Sequence, residues 1–117
     1  MMAKKANGKT YLEGTPGNII VSSERDIVDL FGLSYEHDTN RFLFYESNFP
    51  ADLFNLKTGL AGAVFQKIAV YHARAAVVLD SGEKKNKRFE EFMYECNKQN
   101  QVRFFTDTDA AVEWLSS

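Results

Sequence analysis

Two carboxylates close two apolar runs. Glu46 ends "RFLFYE" and Asp80 ends "RAAVVLD". Both runs are apolar with little alternation, the pattern of strands covered on both faces. If the two strands are parallel, their ends meet one edge of the sheet. Two neighbouring carboxylates there can do acid–base chemistry when one of them is desolvated. The ordinary alternative is that strand ends are polar because they meet solvent. No nucleophile and no metal-ligand set accompanies the pair, so no catalytic residue is assigned.

The second stretch is "LFNLKTGLAG", residues 53–62. Lys57 and Thr58 interrupt an apolar run, and small residues follow. Thr58 precedes a strongly helical pattern over 59–72, in which Leu60, Val64 and Ile68 lie along one line and Ala61, Phe65 and Ala69 along the next. A threonine at a helix start accepts a hydrogen bond from a first-turn N–H, and losing such a cap costs about 1 kcal/mol. The chemical alternative is an anion site made by the N–H groups of Gly59, Leu60 and Ala61, with Lys57 adding charge. A phosphate on Thr58 itself would also suit the positive helix end. The small residues Gly59, Ala61, Gly62 and Ala63 are expected to let the helix sit close to a sheet, since helix-interior glycine costs about 1 kcal/mol relative to alanine.

The strand-end edge is expected to gather Ser22, Ser23, Glu46, Ser47, Asn48, Lys57, Thr58, Asp80, Ser81 and Asp107. From these, Glu46, Lys57, Thr58, Gly59, Leu60, Asp80 and Ser81 form the candidate binding set. His37 and His72 stand apart from each other and from Cys96, so no metal is expected. "KKNKR", residues 84–88, is a basic cluster read as a solvated loop.

These residues need elements to hold them. "YLEGTPGNIIVS" reads as two short strands around a Pro16-Gly17 turn. Ser23 caps a helix, Asp26 completes a capping-box arrangement, and Gly32 is the expected stop. Strands follow at 41–46, 74–80 and 101–106. Pro50 marks a short helical turn. Phe89, Phe92, Met93 and Cys96 line the inner side of a third helix, and Thr106 is the expected cap of a last one. The order ββαβαβαβα predicts an α/β fold with a mixed, mainly parallel sheet covered by helices. One domain spans 11–117, and residues 1–10 are expected to be a disordered tail.

The totals narrow the function. A length of 117 residues fits one domain with a core of its own. Ten phenylalanines make that core aromatic. A net charge of −2 argues against a general nucleic-acid binder. One cysteine excludes an internal disulfide and suits a reducing compartment. No apolar stretch approaches the ~20 residues of a membrane span, and no secretory leader is visible. A cytoplasmic protein without cofactors is expected.

"LFNLKTGLAGAVFQK", "YHARAAVVLD" and "FEEFMYECN" together resemble a small bacterial family of unknown function. Its members carry FxLKTGLAGxxxQK, a short strand ending in Asp, and FxxFxYExN. The likeness spans roughly residues 19–115. More loosely, the element order and "FNLKTGLAG" are similar to STAS domains, the anti-sigma-factor antagonist fold. Those domains place Asp-Ser-Ser/Thr-Gly-Leu-Gly before their second long helix. Thr58 then matches the phosphorylated Ser/Thr, with Gly59 and Leu60 matching the residues after it. The acid of that string falls near Leu56, and its first Ser at Lys57, so both are replaced here.

The resemblance implies a non-enzymatic regulatory or protein-interaction module with a regulatory protein partner and a possible phosphorylation at Thr58. Two other functions stay open: a sensor of an anionic or apolar small molecule at the strand-end crevice, and a hydrolase using Glu46 and Asp80. Oligomeric state is not legible.

Overall fold

The structure is a computed structural model that describes residues 1–80 and 85–117. Among the described residues, the strands are β1 (Met2–Ala6), β2 (Lys9–Glu13), β3 (Arg41–Tyr45), β4 (Arg74–Val78) and β5 (Val102–Phe105). The α-helices are α1 (Glu24–Glu36), α2 (Leu60–Val70), α3 (Lys87–Cys96) and α4 (Thr108–Leu115). The strands form one sheet in the order β1-β2-β3-β4-β5. The first pair is antiparallel and the other three pairs are parallel. The α/β fold with a mainly parallel sheet is therefore as expected.

The strands are laid down in sequence, always in one direction. Crossovers between parallel strands are right-handed, so successive crossovers in one direction stack their helices on one face. Accordingly α1, α2 and α3 share one large core with Leu12, Phe42, Phe44, Val77 and Phe104. α4 packs on the opposite face, with Tyr11, Leu43, Ala76 and Val78. From β2 to β5, alternate residues point to these two cores, as the pleat requires.

The larger core is aromatic. Phe65 and Phe89 both meet Phe104 edge-on, at 5.7 and 5.8 Å between ring centroids. Each fully buried Phe stabilises the fold by about 1.5–3 kcal/mol. On α2, Ala61, Val64, Phe65 and Ile68 are buried, at i, i+3, i+4 and i+7.

The N-terminus departs from expectation. Residues 1–10 are not a tail: β1 pairs along its whole length with β2. The hairpin turn is Asn7-Gly8, both with positive φ (51° and 75°). This suits a two-residue turn whose twist matches the strands. The Pro16-Gly17 turn does form, with Gly17 at φ 88°, and Asn18 N–H donates to Thr15 O. No second strand follows it. Instead the N–H groups of Ile20 and Val21 both donate to the carbonyl of Asn48.

Asn48 anchors this segment. It is fully buried. Its Oδ1 accepts from Tyr45 N–H at 2.7 Å, and its Nδ2 donates to Thr15 O and Asn18 O at 2.8 and 2.9 Å. Gly14 must be glycine here, because a Cβ would lie 2.3 Å from Asn48 Oδ1.

Other boundaries shift by local chemistry. Ser23 caps α1 as expected, accepting from Asp26 N–H. Asp26 reaches back one residue further than a capping box requires, to the N–H and hydroxyl of Ser22. Those bonds, the Ser22 N–H first, hold its carboxyl below the usual range. The helix runs through Gly32, which lacks the positive φ of a helix stop, to Glu36. Asp107, rather than Thr106, caps α4.

Asn48→Ala and Gly14→Ala should each lower unfolding free energy by about 2–4 kcal/mol, through lost buried hydrogen bonds. The double variant should lose clearly less than the sum, since both remove the same amide from its place. Urea unfolding of the four proteins checks this.

Candidate functional site

The chain between β3 and α2 is a run of 3-10 turns: Glu46–Asn48, Ala51–Phe54 and Leu56–Thr58. Pro50 starts the second of these, as a residue with fixed φ and no N–H can. This run and the end of β4 enclose an open crevice of about 300 Å³. Its lining is Glu46, Ser47, Phe49, Ala51, Phe54, Asp80 and Lys85.

Glu46 and Asp80 thus come to one place, as the strand ends suggested. Their relation is structural. Glu46 Oε1 accepts the backbone N–H of Asp80 at 3.1 Å, and Oε2 meets Lys85 Nζ at 2.6 Å. The two side chains of that ion pair are only 12% and 11% exposed. Lys85 Nζ also lies 4.3 Å from the centre of the Phe54 ring. Asn86 joins in: its Nδ2 donates to Phe54 O, while its Oδ1 accepts from Phe89 N–H and caps α3. Glu46, Lys85 and Asn86 thereby tie the turns to β4 and α3. Asp80 is exposed.

Lys85 is the residue that sequence reasoning passed over. Along the chain it belongs to the basic run 84–88, which reads as a solvated loop. Its burial depends on an acid at the end of β3, 39 positions away, and no local pattern shows that. Ser81 lies outside the described residues, as does Lys84.

Thr58 is exposed, on the last 3-10 turn. Gly59, at φ 77°, is the N-cap position of α2. Thr58 therefore sits one residue before the expected cap position. Its hydroxyl still accepts from Leu60 N–H, at 3.3 Å. Its hydrogen faces the carbonyls of Asp52 at 2.8 Å and Asn55 at 2.9 Å. The threonine closes the turn before the helix more than it caps the helix.

The expected anion cradle is largely occupied. Gly59 N–H donates to Leu56 O, and Leu60 N–H to Thr58 Oγ1. Lys57 is exposed and makes no ion pair among the described residues. Leu60 is half-buried and packs on the large core.

The small residues do not all serve close packing. Ala61 is buried, but Gly62 is exposed and a Cβ there would meet nothing within 4 Å. Gly59 is explained by its positive φ, which L side chains rarely adopt. Gly62 borders a shallow groove between α2 and α3, with Phe65, Gln66, Phe92 and Cys96. Burial pushes the Cys96 thiol up to about 11, so it stays protonated at neutral pH.

The rest of the expected edge is dispersed. Ser22 serves Asp26, and Ser47 Oγ accepts Gly17 N–H. Asp107 lines a separate groove with Leu79, Met93 and Phe105. Among the described residues, no three His, Cys, Asp or Glu side chains group as a metal site. Among the described residues, no helix is long and apolar enough to cross a membrane.

A sequentially wound five-strand sheet, with loops gathered at its strand ends, defines a small α/β domain. The chain belongs to the family described as a domain of unknown function (DUF4180), which it matches over residues 6–115. No curated protein and no solved structure matches it.

Thr58→Val should cost about 1 kcal/mol, the net worth of its hydroxyl bonds, and should speed amide exchange at Asn55, Thr58 and Gly59. Gly62→Ala should instead raise stability by about 0.5–1 kcal/mol, because the helix gains alanine and loses no contact. Chemical denaturation and hydrogen-exchange mass spectrometry measure both.

Proposed function

We propose that this protein is a non-enzymatic regulatory module that binds a partner protein through the surface formed by residues 46–60 and the end of β4. The observation that carries this reading is the Thr58 hydroxyl, which faces the carbonyls of Asp52 and Asn55. A phosphate ester at that oxygen has no hydrogen to donate. It brings nearly two negative charges next to two carbonyl oxygens. The turn must then rearrange, and it carries Ala51 and Phe54, two walls of the crevice. A modification at one exposed atom would thus reshape a docking surface. The similarity of "FNLKTGLAG" to the STAS phosphorylation string supports the choice of Thr58.

Binding is favoured over hydrolysis because Glu46 is engaged by Lys85 and by the Asp80 N–H. Both oxygens of that carboxylate already have partners within the protein. A small-molecule sensor is the second reading, favoured by the crevice itself. Its volume of about 300 Å³ is at the lower end of ligand pockets.

Wild-type, Thr58→Val and Thr58→Glu proteins serve as matched baits, alongside phosphopeptide analysis of protein from its native cells. The expected result is phosphorylated Thr58 and a partner whose capture changes at least about tenfold between wild type and Thr58→Glu, the scale of a 1.4 kcal/mol difference. Unmodified Thr58 under all growth conditions, with identical capture by all baits, overturns the proposal.

A further inference from the structure

At the opposite edge of the sheet, where the parallel strands begin, basic residues collect on the α4 face. Arg41 and Arg74 are direct partners in the β3–β4 register. Their side chains leave the same face of strands roughly 4.8 Å apart. Arg103 lies on the next strand, opposite Ala76, and so on the same face as Arg74. Lys9 begins β2 beside them. Like charges on directly paired positions are destabilising. Nevertheless, none of these four cations has an Asp or Glu side chain within ion-pair distance among the described residues. Asp38 shares a cleft with Arg41 but does not pair with it.

The guanidiniums are held from behind. Arg41 Nε donates to Leu115 O at 2.7 Å, Arg74 Nε to Asn100 O at 3.3 Å, and Arg103 Nε to Gln99 O at 2.6 Å. Arg74 and Arg103 also lie 4.5 and 5.2 Å from the centre of the Trp114 ring. Further bonds run from Lys9 Nζ and Arg74 Nη1 to Ser117 O, at 3.0 and 3.4 Å, and from Arg103 Nη2 to Asn100 Oδ1 at 2.9 Å. Both terminal nitrogens of Arg41 and one each of Arg74 and Arg103 make no hydrogen bond among the described residues.

We infer that Arg41, Arg74, Arg103 and Lys9 form an oxyanion site that takes a phosphate-bearing small molecule. A guanidinium fixed through Nε presents its remaining N–H groups as a fork matched to phosphate oxygens. A tetrahedral dianion accepts from several directions at once, which three forks on neighbouring strands supply. Cations near a helix C-terminus also satisfy its last carbonyls. That role accounts for the Nε bond of Arg41, but it needs neither a third arginine nor the open forks. Burial, and then the charges of Arg41 and Arg103, hold Arg74 below the ordinary arginine value. A bound dianion would turn that repulsion into attraction.

Inorganic phosphate and adenosine monophosphate are titrated into the full chain at constant ionic strength, with potassium chloride as control. Amide NMR shifts at residues 41, 74 and 103 report binding, and thermal unfolding reports its effect on stability. Saturable binding is expected, at least about tenfold weaker in Arg41→Gln and Arg74→Gln and also weakened in Arg103→Lys, which keeps charge but loses the fork. Thermal unfolding of each variant in phosphate-free buffer shows that it folds, so that weaker binding reports the lost side chain. Tighter binding of the nucleotide assigns an ester as the ligand, and equal binding assigns free phosphate. Non-saturable shifts, or shifts shared by the variants, overturn the inference. So does binding seen only when two glycines follow Ser117, which would make the Ser117 carboxyl group the anion that the cluster holds.

Discussion

A parallel strand pair joined through a helix closes with one hand, and this protein applies that constraint three times in one direction. Strand follows strand from β2 to β5, so α1, α2 and α3 have no choice of face. The large aromatic core follows, as does the isolation of α4 on the other side. The strand order never reverses. In doubly wound sheets a reversal opens a crevice between diverging loops, and ligands bind there. Here no such opening is supplied by topology. The crevice at Glu46 is made by the 3-10 turns themselves, which raises the importance of the bonds that shape those turns.

Those bonds come from a few uncharged side chains. Asn48 fastens the loop after β2 to the end of β3, Thr58 closes the last turn, and Asn86 ties Phe54 to α3. Each replaces backbone pairing that irregular chain cannot make with itself. The ion pair of Glu46 with Lys85 adds a charged tie in a mostly desolvated place. Breaking such a pair is costlier than its net contribution, because one charge would be left uncompensated. The region is thus held by specific contacts rather than by apolar burial alone, which is the kind of surface that one altered group can rearrange.

The sequence is most legible where periodicity and capping speak together. Val64, Phe65 and Ile68 mark the inner face of α2, and Ser23 marks the start of α1, because both signals are local. The two buried strands β3 and β4 are equally plain, each ending one or two residues before the expected limit, and with them the meeting of Glu46 and Asp80. What was missed depended on distant partners. β1 reads "MAKKA", with no apolar pattern, and forms because β2 offers it an edge. Its one local signal is the Asn7-Gly8 pair, which suits a two-residue hairpin turn. Ile19–Val21 has strand chemistry but meets the Asn48 carbonyl instead of a ladder. The arginine cluster is invisible along the chain, since Arg41, Arg74 and Arg103 become neighbours only through the register.

The two margins of the sheet are unlike. On β5, the side chain of Asn97 accepts from Phe104 N–H at 2.7 Å and donates to Phe104 O at 3.4 Å, so it imitates a neighbouring strand. β1 has no such cover among the described residues; it carries Lys4 and Lys5 instead. A sheet polymer must grow through both margins of every copy. With the Phe104 position already taken by an amide, a ladder along the β5 margin is interrupted at its middle. A bare, lysine-bearing strand at one margin thus faces an obstructed strand at the other, which works against end-to-end stacking.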